Sequence, residues 1–458
     1  MTDLIVCGER VVLPSGLQPA SVHVRDGSIA AIGGYRERPA GVPVVDAGAL
    51  VVLPGLVDTH VHLNDPGRTD WEGFDTGTRA AAAGGLTTIV DMPLNSVPST
   101  VDASAFDAKL QAARGRCVID VGFWGGVVPG NASALELLVA RGVLGFKCFL
   151  SPSGVAEFEH VGERDLEIAL PILARLGVPL LAHAEWPPAL VDIDRSEDPR
   201  DYQTWLSSRP PASEQAAIDL LIRLGLKHRA RIHVVHLASA DALTSLRAAR
   251  RASSEISVET CPHYLTFDAE HIPPGSTAFK CAPPIREARH RESLWAALAG
   301  GDIDLIATDH SPAPPALKSV DAGDFVAAWG GIASVQLGVA AVWTGAEARG
   351  FTLEHLARWL AAMPAKLAGL TDRKGAIAPG CDADFAFFDP DATCVVDPAT
   401  LFHRHPITPY AGMPLKGMVH KTMLRGEVVF EDGSFPSASS GRLLLKRRPL
   451  DNARIGVS

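Results

Sequence analysis

The chain has 458 residues, with 42 Lys and Arg against 52 Asp and Glu, a formal net charge of −10. Apolar residues make up 47% and charged residues 21%, enough for a sizeable core, which excludes disorder over the whole chain. The acidic balance argues against a nucleic-acid partner, because phosphate contacts need clustered Lys and Arg.

The seven cysteines (Cys7, Cys117, Cys148, Cys261, Cys281, Cys381 and Cys394) are scattered and never spaced C-x-x-C. That argues against a disulfide framework or a thiolate zinc cluster and for reduced thiols in a cytoplasm. The opening Met-Thr-Asp-Leu lacks the basic and apolar regions of a signal peptide. One uncharged run, Phe325 to Ala346, is long enough to cross a membrane. It contains Gly330, Gly331, Ser334, Gln336, Gly338 and Thr344, and reads as a buried loop and helix, so no membrane partner is expected.

The first 50 residues are β-rich. Leu4–Val6, Arg10–Leu13 and Ser21–Val24 are β-prone runs, with turns at Asp26-Gly27 and Gly33-Gly34. The same texture returns near residue 375, in Phe385–Phe388, Cys394–Val396 and Val428–Phe430, with turns at Arg425-Gly426 and Asp432-Gly433. Two β-rich ends around a different middle predict one small β-sandwich domain built from both termini. Eight short apolar runs lie between them: Leu53–His62, Leu86–Met92, Val118–Trp124, Leu144–Phe149, Pro179–His183, Ile232–Leu237, Ile256–Thr260 and Ile303–Thr308. Segments such as Phe106–Ala113, Glu214–Leu224 and Leu294–Ala299 read as intervening helices. The alternation predicts an α/β fold, a (β/α)8 TIM-like barrel over residues 55–372. Residues 1–54 and 373–440 would form the β domain, and 441–458 a basic tail.

In such a barrel the chemistry lies at the C-terminal ends of the strands. His60 and His62, two apart on a strand, face the same side and can chelate a divalent metal; alone they are equally a hydrogen-bonded pair. Lys147 interrupts the apolar run Gly145–Phe149 and is costly to bury as a cation, so it is paired, neutral or modified, unless it snorkels to the rim. His183 ends the fifth run. His233 and His236 are three apart and would face opposite sides of the sixth, which favours His236, nearer the C-terminal end. Asp309 ends the eighth and suits a ligand, a general base, or both. Glu259 and His263 are expected to share the pocket-facing side of the seventh run, behind the ligands and not among them, and Arg68 and Glu72 to pair within a loop. The tryptophans read mostly as packing.

Around these residues the segments Pro54–His62, Gly67–Gly73, Gly84–Thr88, Asp91–Ser96, Gly145–Phe149, Cys261–Tyr264, Lys280–Arg286 and Asp309–Pro312 resemble the cyclic amidohydrolases of the amidohydrolase superfamily. Gly67–Gly73 and Asp91–Asn95 are similar to the allantoinases within it. The resemblance implies two divalent metal ions, with zinc first and manganese, cobalt or iron as alternatives. His60 and His62 would hold the more buried ion, His183 and His236 the more exposed one, bridged by N6-carboxylated Lys147, with Asp309 as ligand and proton carrier. It also implies allantoin as substrate and a homotetramer. Dihydroorotases usually place an Arg two residues after the second histidine, where this chain has Asn64; hydantoinases and dihydropyrimidinases usually place a Tyr five after the lysine, where it has Pro152. Asn95, whose amide both donates and accepts, is a candidate substrate contact or a turn residue. Ala282 is a candidate through its backbone. A non-catalytic scaffold relative would be expected to lack some of these ligands.

Overall fold

Eight parallel strands form the barrel that the alternating runs predict. In a computed structural model, which describes residues 3–194, 196–436 and 440–446, they are Leu56–Val61, Leu86–Asp91, Asp120–Phe123 continuing as Gly125–Gly126, Phe146–Phe149, Leu180–His183, Ile232–Val234, Ile256–Thr260 and Leu305–Ile306. Each pairs with the next in parallel register. The ring closes where Val61 bridges His310 and the His62 amide donates to the His310 carbonyl at 2.9 Å. Helices such as Ala103–Ala113, Pro211–His228 and Ala288–Gly300 cover the strands outside. Their ends follow local chemistry: the Asp102 carboxylate caps one N-terminus through the Ala105 amide, and Gly301, in the left-handed region, ends another helix.

The first predicted run is divided between two sheets. Val51–Pro54 pairs antiparallel with Phe385–Val395 in the β domain, and only Leu56–Val61 enters the barrel. Gly55 sits at the division, where a Cβ would lie 2.3 Å from Thr87 Oγ1 and 2.7 Å from Asp384 Cβ. No larger residue fits between the two sheets there.

The β domain joins both chain ends in one eight-stranded sheet. In order across it run Glu427–Glu431, Pro414–Leu424, Phe385–Val395, Val51–Pro54, Leu4–Leu13, Gly16–Arg25 and Ser28–Gly33, with Val44–Asp46 also on Leu4–Leu13. Leu4–Val6 and Arg10–Leu13 are one strand with a bulge between Gly8 and Val11, rather than two. Asp26-Gly27 and Arg425-Gly426 turn with positive φ at both residues, as tight hairpins require. Val22, Val52, Phe385 and Phe387 are among the residues of its core.

Part of the expected tail is structural. Leu443–Leu444 pairs in parallel with Val121 and Gly122 of the third barrel strand, and Leu444 is buried. Residues 437–439 and 447–458 lie outside the described residues. Phe325 to Ala346 is loop followed by the helix Gly338–Glu347, and no helix among the described residues is long and apolar enough to cross a membrane.

Barrel, β domain and C-terminal segment meet at Asp120. Its carboxylate accepts from Lys374 Nζ at 2.7 Å, from Arg425 Nη1 at 2.7 and 2.8 Å, and from the Arg442 amide at 2.7 Å. Lys374 also donates to Asp384 at 2.6 Å, and all three of Asp120, Lys374 and Asp384 are buried. Removing one partner of a buried pair strands the others. Lys374→Met is therefore expected to cost about 3–5 kcal/mol, read as a lowered midpoint of denaturant unfolding; a loss below about 1 kcal/mol would show that the cluster does not join the layers.

Candidate metal centre and substrate cavity

The strand ends bring the six predicted ligands to one buried place. His60 closes the first strand and His62 follows it, their ring centroids 5.6 Å apart. Asp309 lies beyond the eighth strand in the left-handed region at φ 46°, with Oδ1 3.2 Å from His60 Nε2 and 3.5 Å from His62 Nε2. The ligand atoms of these three lie within 4.8 Å of one another, a group that can hold a metal ion. His183 Nδ1 faces His236 Nε2 at 3.1 Å.

The histidines are oriented from behind. Glu259 Oε1 accepts from His60 Nδ1, and Glu185 Oε2 from His183 Nε2 at 2.7 Å. Each contact fixes the tautomer that leaves the other ring nitrogen's lone pair facing the centre. Asp58 positions both ends of the ring closure, accepting from the His60 amide and from the amide and hydroxyl of Thr308. Ser311 Oγ donates to Asp309 Oδ1 at 2.8 Å.

Lys147 is fully buried on the fourth strand, and its Nζ has no hydrogen-bond partner. It lies 4.9 Å from the Phe149 ring centroid, and that ring stacks on His183 at 4.4 Å. Burial pulls the lysine pKa down to about 8. It also lowers His62 to about 4 and pushes His236 well below its ordinary value. Burial opposes ionisation of Asp309, but His60, His62 and His236 outweigh it and hold that carboxyl well below the usual range.

Several placements differ from the sequence reading. His233 does not turn away from the centre: its Nε2 lies 2.9 Å from Glu259 Oε2, so one carboxylate serves His60 and His233. Strict alternation fails because the sixth strand ends at Val234 and the chain turns at His236, φ 39°. Glu259 and His263 are buried and, as supporting residues would, do not line the cavity; what differs is that His263 sits in a short helix, Pro262–Thr266, and not on the strand face. Arg68 and Glu72 do not pair. Arg68 bonds Glu157 and the Asn95 carbonyl, whereas Glu72 meets His310 at 3.4 Å and accepts from the Arg404 amide.

A cavity of about 260 Å³ opens over the centre. Asn95 and Ala282 line it, as do Trp205, Arg209, Lys280 and Trp329. Asn95, at φ 66°, holds Nδ2 3.4 Å from His62 Nδ1, and its Oδ1 is buried without a partner. From the sequence, Glu185 and Lys280 carry no site role and the tryptophans read mostly as packing. Glu185 was detectable as a carboxylate two residues beyond His183; nothing local marks the others.

The amidohydrolase family model matches residues 51–429, and the chain belongs to that family. It is 49% identical to the allantoinase of Streptomyces avermitilis, covering 96% of this chain and 98% of that one. It is 45% identical to the allantoinase of Arabidopsis thaliana, over 96% and 90%. Among solved structures, the L-hydantoinase (dihydropyrimidinase) of Arthrobacter aurescens superposes with a TM-score of 0.92 at 30% identity, covering 97% of this chain and all of that one.

Buried histidines make the fold acid-sensitive. Burial lowers His62, His263, His290 and His403 to about 4. The unfolded chain, with histidines near 6.5, binds more protons between those values, so stability is present above pH 6.5 and is lost as pH falls toward 4. Asp58, raised to about 6 by burial, opposes this together with Asp91, Glu214 and Asp384, which burial also raises, while Glu185, Glu259 and Asp309, held low by their partners, add to it. The unfolding midpoint of metal-free protein should drop continuously between pH 6.5 and pH 4; a flat profile would contradict the burial of these rings in neutral form.

Proposed function

We propose that the chain is a metal-dependent allantoinase, a hydrolase that opens the cyclic amide of allantoin to give allantoate. The observation that carries this reading is the convergence of His60, His62, His183, His236 and Asp309 at one cavity, with Lys147 buried behind its Phe149 wall. The allantoinase relatives, aligned over nearly the whole chain, support the choice of amide.

The residues fit two divalent ions. His60, His62 and Asp309 would hold one, and His183 and His236 the other. His183 and His236 lack an anionic third ligand of their own, and the unpartnered Lys147 amine beside them, carboxylated by carbon dioxide, would supply it to both. Zinc suits this donor set first, and manganese, cobalt or iron also suit it. When bound, such ions lower the pKa of a shared water and polarise the amide carbonyl.

The chain's own groups do the rest. Asp309 is ionised at neutral pH, the form a proton acceptor needs, and Ser311 holds it in place. It takes the proton of the attacking water and returns it to the leaving nitrogen, help of about 10²–10⁴-fold. Asn95 offers amide donor and acceptor atoms to the substrate, and Ala282 its backbone.

The cavity also suits a substrate without a carboxylate. Asn64 is buried, donates to the Pro312 carbonyl and does not line the cavity, while Arg209, which does, is already paired with Glu185. That disfavours dihydroorotate. A hydantoinase-like activity is the second reading, favoured by the superposition on L-hydantoinase and disfavoured by Pro152 lining the cavity where such enzymes would place a tyrosine. The reading extends to a homotetramer and to a cytoplasmic setting, for which seven free cysteines are suited.

Metal-reconstituted protein should turn over allantoin well above hydantoin, dihydrouracil and dihydroorotate, measured as ureide product. Preference for hydantoin or dihydrouracil would keep the metal chemistry and overturn the substrate assignment. Lys147→Ala should lose bound metal and at least about 100-fold in turnover, with partial recovery in acetate plus metal; near-normal turnover without acetate would remove the bridging role.

A further inference from the structure

Lys280 and Lys318 are both almost fully buried, and among the described residues neither forms an ion pair with a carboxylate. Three N–H donors on Lys318 Nζ meet three main-chain carbonyls: Lys280 at 3.3 Å, Trp329 at 3.0 Å and Gly331 at 2.8 Å. Lys280 Nζ donates to the carbonyls of Val326 and Ala328, at 3.1 and 2.5 Å, and lies 4.1 Å from the Trp205 ring centroid. Burial lowers the two amines, to about 7 for Lys318 and about 8 for Lys280. A buried ammonium is retained only where its donors are satisfied.

These carbonyls belong to two segments, Lys280–Ala282 and the loop 326–331, that form the cavity wall. The segments touch directly. The Gly331 amide donates to the Lys280 carbonyl at 2.8 Å, and a Cβ on Gly330 would lie 3.8 Å from Cys281 Cα. Gly331, at φ 148°, passes so close to the Ser311 carbonyl that a Cβ would lie 2.3 Å from it. Ser311 in turn holds Asp309. Cys281, Ala282, Gly330 and Gly331 carry no long polar side chain, so the polar groups this part of the wall can offer a ligand are main-chain ones. Lys318 bonds that main chain from behind and does not itself line the cavity.

We propose that Lys318, assisted by Lys280, is a positioning residue for substrate affinity: it ties the two wall segments into one rigid backbone edge that binds the cyclic amide opposite the metal ligands. This rests on the cyclic-amide reading but not on the choice of amide. A loosened wall removes binding shared by ground and transition states, which raises KM and leaves kcat nearly unchanged.

The test compares wild-type protein with Lys318→Met and Lys280→Met, all metal-reconstituted, with bound metal measured for each. Wild-type protein is assayed first on allantoin and hydantoin. Turnover of hydantoin alone overturns the allantoin reading, and the variants are then read on hydantoin. The expected result is a KM raised about 10- to 100-fold, kcat within about threefold and wild-type metal content. A KM within about twofold of wild type overturns the proposal, as does a loss confined to kcat. If Lys318→Met does not fold, Lys280→Met carries the same expectation and the same contradiction.

Discussion

Burial of the Lys147 amine is the constraint on which the site depends. A charged lysine in a dry barrel mouth is expensive, and here no carboxylate or carbonyl meets Nζ. Its pKa, drawn down to about 8, leaves an accessible neutral amine, the form that adds carbon dioxide. Carboxylation would turn an unfavourable cation into an anion with two oxygens, set among imidazoles whose own pKa values burial has lowered. Under the proposed function, the same burial would leave the lysine open to modification and the histidines neutral for metal.

Carboxylates placed behind the rings make the arrangement directional. Glu259 serves His60 and His233, and Glu185 serves His183 while paired to Arg209. Both acids are held ionised at about 2, because their cationic and imidazole partners outweigh burial. These groups lie on or just beyond parallel strands whose register the barrel fixes, so the fold supplies the precision that the chemistry needs.

Much of this was legible along the chain because it follows strand periodicity. His60 and His62 share a face by spacing, and Lys147 stands out against an apolar run. His236 comes to lie 3.1 Å from His183, but the alternation argument that favoured it holds only where a strand continues; the chain leaves the strand at Val234 and turns at φ 39°. The split at Gly55 was hidden because both halves of Leu53–His62 are equally apolar, and only contact with Thr87 and Asp384 divides them. The wall lysines were illegible for a different reason. Their partners are main-chain carbonyls at 280, 326, 328, 329 and 331, and a carbonyl has no residue identity to read.

The central claim is that Lys147 becomes an anionic bridge between two metal sites. The most direct measurement is ¹³C NMR of protein reconstituted with metal in ¹³C-bicarbonate, alongside Lys147→Ala treated identically. The account predicts a carbamate carbonyl resonance in the wild-type protein, absent from the variant, with two metal ions per chain. Fully metallated, active wild-type protein without that resonance would contradict it.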